Sequence, residues 1–395
     1  GGSITLALIR QTIDASISGD SQVIVTGDIV ISAIDDSSIG NGAGGFALAL
    51  NTASVGAAVA SNDVENVVTA SIEGSTANSS AGSISVVAEE KSEITVVALG
   101  GAFGSRFSLG GSVVVNVEEN TVSATIDGAT ATAANNVLVS SGDQSQINVG
   151  AGQIAVATGG ATVGAAVAVS VIGGTNTGSI DSSSITATSG STQLLASGNQ
   201  TIESVAAGGD GASGFVLGGS VVVNTHSQTT MAEVRHTSKN SAIRSGVGGL
   251  SVSATDASTI KAGAGQVSLS LGSNAVGAAI AVNRIENTVG SVIGGAMVTS
   301  SGDVAVTANA GESITAVALG VGGAVANGFF SLDLVGSGAG NRIARSTKAR
   351  IEQGSTLTLN SGADVTVSAE DTPEILAVAG MISIDFALGE KGPTA

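Results

Sequence analysis

Short runs that alternate apolar and polar residues recur along the whole chain, as in TVSATID (Thr121–Asp127), NVLVSSGD (Asn136–Asp143) and LSVSATD (Leu250–Asp256). A period of two puts successive side chains on opposite faces, which is the pattern of a strand with one buried face. Clusters of Gly, Asn, Ser and Asp separate the runs and supply turn chemistry. Other runs, GAAIAV and SVVVN among them, are apolar at almost every position and predict strands that need cover on both faces. The Ala-rich stretches are interleaved with Val, Ile, Gly and Thr and lack a cap followed by several turns of 3.6-residue periodicity, so long helices are not expected.

The runs repeat. A β-branched residue closes the longest pattern at Ile17, Ile72, Ile126, Ile180, Val234, Ile293 and Ile351, with spacings of 55, 54, 54, 54, 59 and 58. A second marker, an Ile after a small polar cluster, keeps step at Ile39 (DDSSI), Ile94 (EKSEI), Ile147 (DQSQI), Ile202 (GNQTI), Ile260 (DASTI), Ile314 (AGESI) and Ile375 (DTPEI). The two markers define seven units and a final partial stretch, so residues 1–395 read as one continuous repeat array. Units alternate between VGAAVA or VGAAIA (Val55, Val163, Val276) and LGGSVVVN (Leu109, Leu217), the latter with Phe107 or Phe215 just upstream. The complete repeat is therefore a pair, with Leu217 following Leu109 by 108 residues. The last unit departs with FFSLDLV (Phe329–Val335), although NRIARSTKARI (Asn341–Ile351) still matches NRIENTVGSVI (Asn283–Ile293) in length and ends.

A unit that cannot bury its own apolar face must stack on its neighbours. The expected fold is all-β: an elongated β-solenoid, parallel β-helix-like, with equivalent small residues laddering along the axis. Three coils of ~18 residues per unit give ~21 coils and a rod of ~100 Å, while two of ~27 give ~14 coils and a shorter one. No unit carries a polar cap, so bare strand edges are expected at both ends, with further repeats continuing on each side.

Composition narrows the picture. Trp, Tyr and Cys are absent, Phe totals 7 and Gly 58, so a core must form from many small contacts between Ala, Val, Ile and Leu. With 43% hydrophobic residues and two prolines, disorder is not expected. The net charge of −18 opposes nucleic-acid binding. Lack of Cys excludes disulfides and thiolate metal sites. The opening lacks the form of a signal peptide and reads as an excised segment. Ile314–Gly336 is long enough to span a bilayer, but Asn327 and Asp333 lie inside it, so the chain is expected not to be membrane-spanning.

Candidate chemistry is sparse. His226 and His236 have only Glu233 nearby and are expected to be surface histidines, not a metal pair. Acidic residues follow the closing strand residue at Glu73, Asp127, Asp181 and Glu352, where the other units carry Ser18, Arg235 and Gly294. Stacked carboxylates are Ca²⁺ chemistry, but Arg235 interrupts the row and the GGxGxDxUx nonapeptide is absent, so solvent-facing turns are expected. GNGAGG (Gly40–Gly45) and GVGGAVANG (Gly320–Gly328) precede no Lys-Ser/Thr pair and predict turns or close backbone approach instead of phosphate loops. Arg342, Arg345, Lys348 and Arg350 fall within nine positions and are expected at a solvated edge, open to contact with an acidic neighbour or an anionic glycan. No catalytic, cofactor-binding or metal residue is assigned; Ca²⁺ is the one candidate ion.

VGAAIAVNRIENTVGSVI (Val276–Ile293), SVGAAVASNDVENVVTASI (Ser54–Ile72) and LGGSVVVNVEENTVSATI (Leu109–Ile126) resemble the repeats of large bacterial surface adhesins of the filamentous-haemagglutinin and fusobacterial leukotoxin type. The resemblance implies a very long β-helical protein, secreted across the outer membrane by a dedicated transporter and projecting from the cell to mediate attachment. The secretion domain with its Asn-Pro-Asn signatures is missing and no RGD tripeptide occurs, so this would be an interior shaft segment. The expected role is a non-catalytic extracellular or cell-surface structural/adhesive segment forming a rigid fibre or stalk. Its expected partners are further repeats of the same protein, or identical chains end to end or side by side. The alternatives are a glycan- or surface-binding module, whose mark would be Thr-x-Thr rows that are not seen to persist from unit to unit, and the passenger shaft of a secreted toxin.

Overall fold

The structure, a computed structural model, describes residues 1–235, 242–272, 274–326 and 332–387. Among these, 28 strands form four parallel sheets of seven strands each, and no helix occurs. Each unit makes one coil. In the second coil the chain runs through Ala53–Glu73, Thr76–Ser79, Ile84–Glu90 and Glu93–Gly104, and each segment pairs in parallel with its equivalents in the coils before and after. The four sheets are thus a broad sheet of strands up to 21 residues long, a four-residue corner sheet, a seven-residue sheet and a twelve-residue sheet.

Both sequence markers become columns of bonded neighbours. Ile17, Ile72, Ile126, Ile180, Val234, Ile293 and Ile351 pair in succession across the broad sheet. Ile39 through Ile375 do the same across the twelve-residue sheet. The β-solenoid expectation holds, but the coil count does not. Seven coils at ~4.8 Å occupy only about 34 Å of axis, while a 21-residue strand crosses about 70 Å, so this chain is a slab wider than it is tall. Coils of ~18 or ~27 residues would need turns inside the longest strands, where DVEN (Asp63–Asn66), EEN (Glu118–Asn120) and GGTN (Gly173–Asn176) are the polar stretches. They lie inside continuous strands, and part of their polar content points inward to partners.

The broad sheet packs one half against the seven-residue sheet and the other against the twelve-residue sheet. Val68, Ala70 and Ile72 meet the side of Ile84, Val86 and Ala88 in one apolar cluster; Ala58, Ala60 and Val64 meet that of Ile94, Val96 and Ala98 in a second. Such short side chains bring the sheets close together. A Cβ on Gly45, Gly56 or Gly100 would fall 1.9, 1.8 or 1.9 Å from a carbonyl oxygen of the opposite sheet; in the first glycine run only Gly45 makes the expected close approach, since Gly40, Gly42 and Gly44 have open space beside them.

Alternation of the two unit types follows from stacking. Inside the broad sheet, Ala60, Val114, Ala168, Val222 and Ala281 form one column, so a larger residue lies between smaller ones. Outside the twelve-residue sheet, Gly42, Val97, Gly150, Val205, Gly263 and Val317 alternate through six coils, and Val378 in the last coil ends the pattern. A Cβ on Gly152 would sit 2.6 Å from Leu99 Cδ2, because the leucine leans across the glycine of the next coil. Close packing of this kind needs a two-coil period. One expectation fails: the all-apolar runs have no second cover within the chain, and Val113, Ile280 and Val282 stay 37%, 41% and 42% exposed.

Candidate functional site

Where the chain passes from the seven-residue to the twelve-residue strand, its polar cluster bends inward. Asp35, Glu90, Asp143 and Asp256 occupy one column, interrupted by Gly198 and Ala310, and all four carboxyls are buried. A serine two residues on holds three of them: Ser37 Oγ donates to Asp35 at 2.8 Å, and Ser145 Oγ and Ser258 Oγ donate to Asp143 and Asp256 at 2.6 Å. The broad sheet answers with Asn66, Glu118, Asn120, His226, Gln228 and Asn287, also buried. The result is a polar row along the axis, between the two apolar clusters.

The row is hydrogen-bonded from coil to coil. Asn66 Nδ2 donates to Asp35 at 2.7 Å and to Glu90 at 3.2 Å; Asn120 Nδ2 donates to Glu118 at 3.0 Å; Gln228 Nε2 donates to Asp143 at 3.1 Å. Ser92 Oγ donates to Glu118. Asn287 Nδ2 donates to Asp256 at 3.0 Å, so its Oδ1 accepts, and the contact of 2.9 Å from His226 Nδ1 to that oxygen fixes the proton on Nδ1. Glu90 Oε2, Glu118 Oε2 and His226 Nε2 have no hydrogen-bond partner among the described residues.

Burial sets the protonation of this row. It pushes Glu118 up to about 8, aided by nearby Asp143, and pushes Glu90 up to about 8, aided by Asp35 and Asp143. Asp143 is raised and Asp256 raised to about 6, again by burial. His226 is driven down to about 4 by burial, against the pull of Asp143. At neutral pH both glutamates hold a proton and the imidazole is neutral, which spares the interior most of the charge. No three His, Asp or Glu among the described residues converge as a metal site. Proton binding and hydrogen bonding are the chemistry such an arrangement supports, with specification of coil register as its structural effect.

No protein-family model and no curated protein matches this chain.

The sequence candidates do not converge on one place. His226 is 1% exposed, so the surface expectation for it is wrong: even spacing from Val222 and Asn224 puts it on the inward face. His236, Phe329 and the last two residues of the second glycine run lie outside the described residues. Glu73, Asp127 and Asp181 do stack in register, and the next position is Arg235, which pairs with Glu233 at 2.6 Å and reaches Glu352 at 3.7 Å. The basic quartet is split. Arg342, Lys348 and Arg350 face outward, whereas the Arg345 side chain is 3% exposed and pairs inside with Glu312 and Asp371. Odd position against three even ones was the available signal.

Two further columns escape a search for motifs, one on the outer face of the broad sheet and one buried beneath it. Thr121, Thr175, Thr229 and Thr288 form a column on the broad sheet, beside a groove of ≈ 450 Å³ that Glu65, Glu119 and Gly173 help line. A hydroxyl row therefore does persist through four coils, and aligning the strand positions instead of looking for Thr-x-Thr reveals it. The second is an asparagine column, Asn62, Asn116, Asn224, Asn283 and Asn341, broken only by Ser170. Its amides bond along the axis: Asn62 to Asn116 at 2.7 Å, Asn224 to Asn283 at 2.9 Å and Asn283 to Asn341 at 2.8 Å. The closing Asn of each LGGSVVVN motif belongs to it.

Proposed function

We propose that this chain is a structural segment of an extracellular or cell-surface fibre of the bacterial adhesin kind, with no catalytic role. The observation that supports this most is the sameness of the stacking: equivalent residues pair across every coil boundary from Ile17 to Ile351. Coils can be added to such a stack without designing a new contact, and the first and last strands of all four sheets keep an edge to which a further coil can bond. The acidic surface keeps such fibres apart in solution. Immunogold electron microscopy of the producing cells, with antibodies raised against this chain, tests the reading. Label along surface projections supports it; label confined to the cell interior overturns it.

A second reading, a glycan-binding module, is favoured by the Thr121–Thr288 hydroxyl column beside the carboxylates of Glu65 and Glu119. Binding of the isolated chain to a glycan array, lost in Thr175→Val, distinguishes it from the fibre role.

A further inference from the structure

The twelve-residue sheet turns an uncharged face to solvent. After the polar start of each strand come four outward positions, such as Val97, Leu99, Gly101 and Phe103 in the second coil. Four positions on seven strands make 28, and every one is Gly, Ala, Val, Leu, Ile or Phe. Phe46, Ile154 and Val205 are 62%, 51% and 53% exposed. A soluble monomer rarely shows so continuous an apolar patch.

We propose that this face docks against the same face of a second copy of the chain, so that two slabs pair back to back about a two-fold axis. Area is the first argument. Seven strands at ~4.8 Å by about 25 Å of strand give roughly 800 Å² per copy, the size of a standard interface. Relief is the second. In the columns through Val97 and Leu99, glycine takes every second coil from the first to the fifth, and near the middle of the face a groove of ≈ 340 Å³ is lined by Leu99, Gly152, Ile154 and Gly209. A surface of alternating knobs and hollows complements its own copy, as a two-fold contact requires. Charge is the third: chains of net charge −18 repel each other elsewhere, but no charge lies within these 28 positions.

A lipid surface fits less well. The chain lacks Trp and Tyr, and Lys261 at the border of the face is paired with Glu203 at 2.6 Å. Membrane-lying faces carry aromatic anchors and a basic fringe. The broad sheet fits a copy less well too, because its outer face carries Asp63, Glu65, Glu119 and Arg284 next to its valines.

The proposal is independent of the fibre reading, which concerns the strand edges and the cell surface. Sedimentation velocity of the whole chain tests it. The wild type is expected to sediment as a dimer. Ile154→Glu with Val205→Glu is expected to weaken association at least about 100-fold, with unchanged circular dichroism, since both side chains project into solvent. Ile154→Thr with Val205→Thr, which keeps β-branched residues in the strands, should weaken it less and serves if the charged pair misfolds. Val113→Glu on the broad sheet should leave the dimer intact. A monomeric wild type overturns the proposal, as does a dimer that survives both double variants or dissolves only in Val113→Glu. So does a monomer that floats with phosphatidylcholine–phosphatidylglycerol vesicles through Ile154 and Val205.

Discussion

The ring of Phe46 lies across Gly101 in the next coil, so closely that a Cβ on the glycine would be 2.3 Å from Cδ1. Gly101→Ala is expected to cost about 1 kcal/mol, because the ring is exposed and can swing away, and most of that cost should vanish in the background of Phe46→Ala. Gly56→Ala offers the contrast. Its Cβ would meet the backbone carbonyl of Gly101 at 1.8 Å, the two sheets would have to part, and about 3 kcal/mol or more is expected. Urea midpoints of these variants decide; equal losses for Gly56→Ala and Gly101→Ala would contradict the packing.

The buried glutamates make the fold less stable as pH rises. Glu90 and Glu118 titrate near 8 when folded, against 4.5 when solvated, so between those limits the folded state holds protons that the unfolded state has released. Stability then falls as pH rises through that window. Asp256 and Asp210, raised to about 6, add to the fall up to that pH. His226 opposes it below 6.5, since its folded value near 4 means the unfolded chain takes up that proton first. The expected result is a thermal midpoint lower at about pH 8 than at about pH 5, with a shallower decline in Glu118→Gln. A midpoint that climbs over this range refutes the protonation scheme.

Arg345 and Arg342 should behave as opposites despite their closeness in sequence. Arg345→Ala leaves Glu312 buried beside no cation and is expected to cost about 3–5 kcal/mol. Arg342 is 66% exposed and lies 3.8 Å from Glu286, so Arg342→Ala is expected within about 0.5 kcal/mol of wild type. Chemical denaturation of the two variants measures the difference.

The asparagine column predicts a graded pair. Asn224→Ala removes the donor to Asn283 and the acceptor for Ser204 Oγ, for an expected loss of about 1–3 kcal/mol. Asn224→Asp keeps the shape but sets a carboxylate against the Asn283 carbonyl oxygen, and should cost more at neutral pH than in acid. Equal stability of Asn224→Asp and wild type at neutral pH rules out this amide orientation.

Much of the fold is legible in the sequence because stacking imposes equal spacing, and Ile72, Ile126 and Ile180 announce it without any coordinates. The coil width is not legible. Asn62, Asn66 and Glu118 are polar types that interrupt the apolar pattern, and their partners inside the coil are visible only in three dimensions. The same ambiguity hid the buried row. Polar clusters such as DQSQI mark the corner correctly, yet Asp143 reads as a solvated turn residue until Ser145, Gln228 and the opposite sheet are seen around it. Parity along the strand carried the missing information for His226, Arg345 and the threonine column.

The breadth of each coil, set against a thickness near that of two stacked sheets, makes this object a tape. For an elastic strip the ratio of the two bending stiffnesses goes as the square of width over thickness, so with two sheets ~10 Å apart and ~20 Å thick overall the tape resists sideways flexure roughly tenfold more than flatwise curling. Any long assembly of such coils would drape in one plane and hold its line in the other.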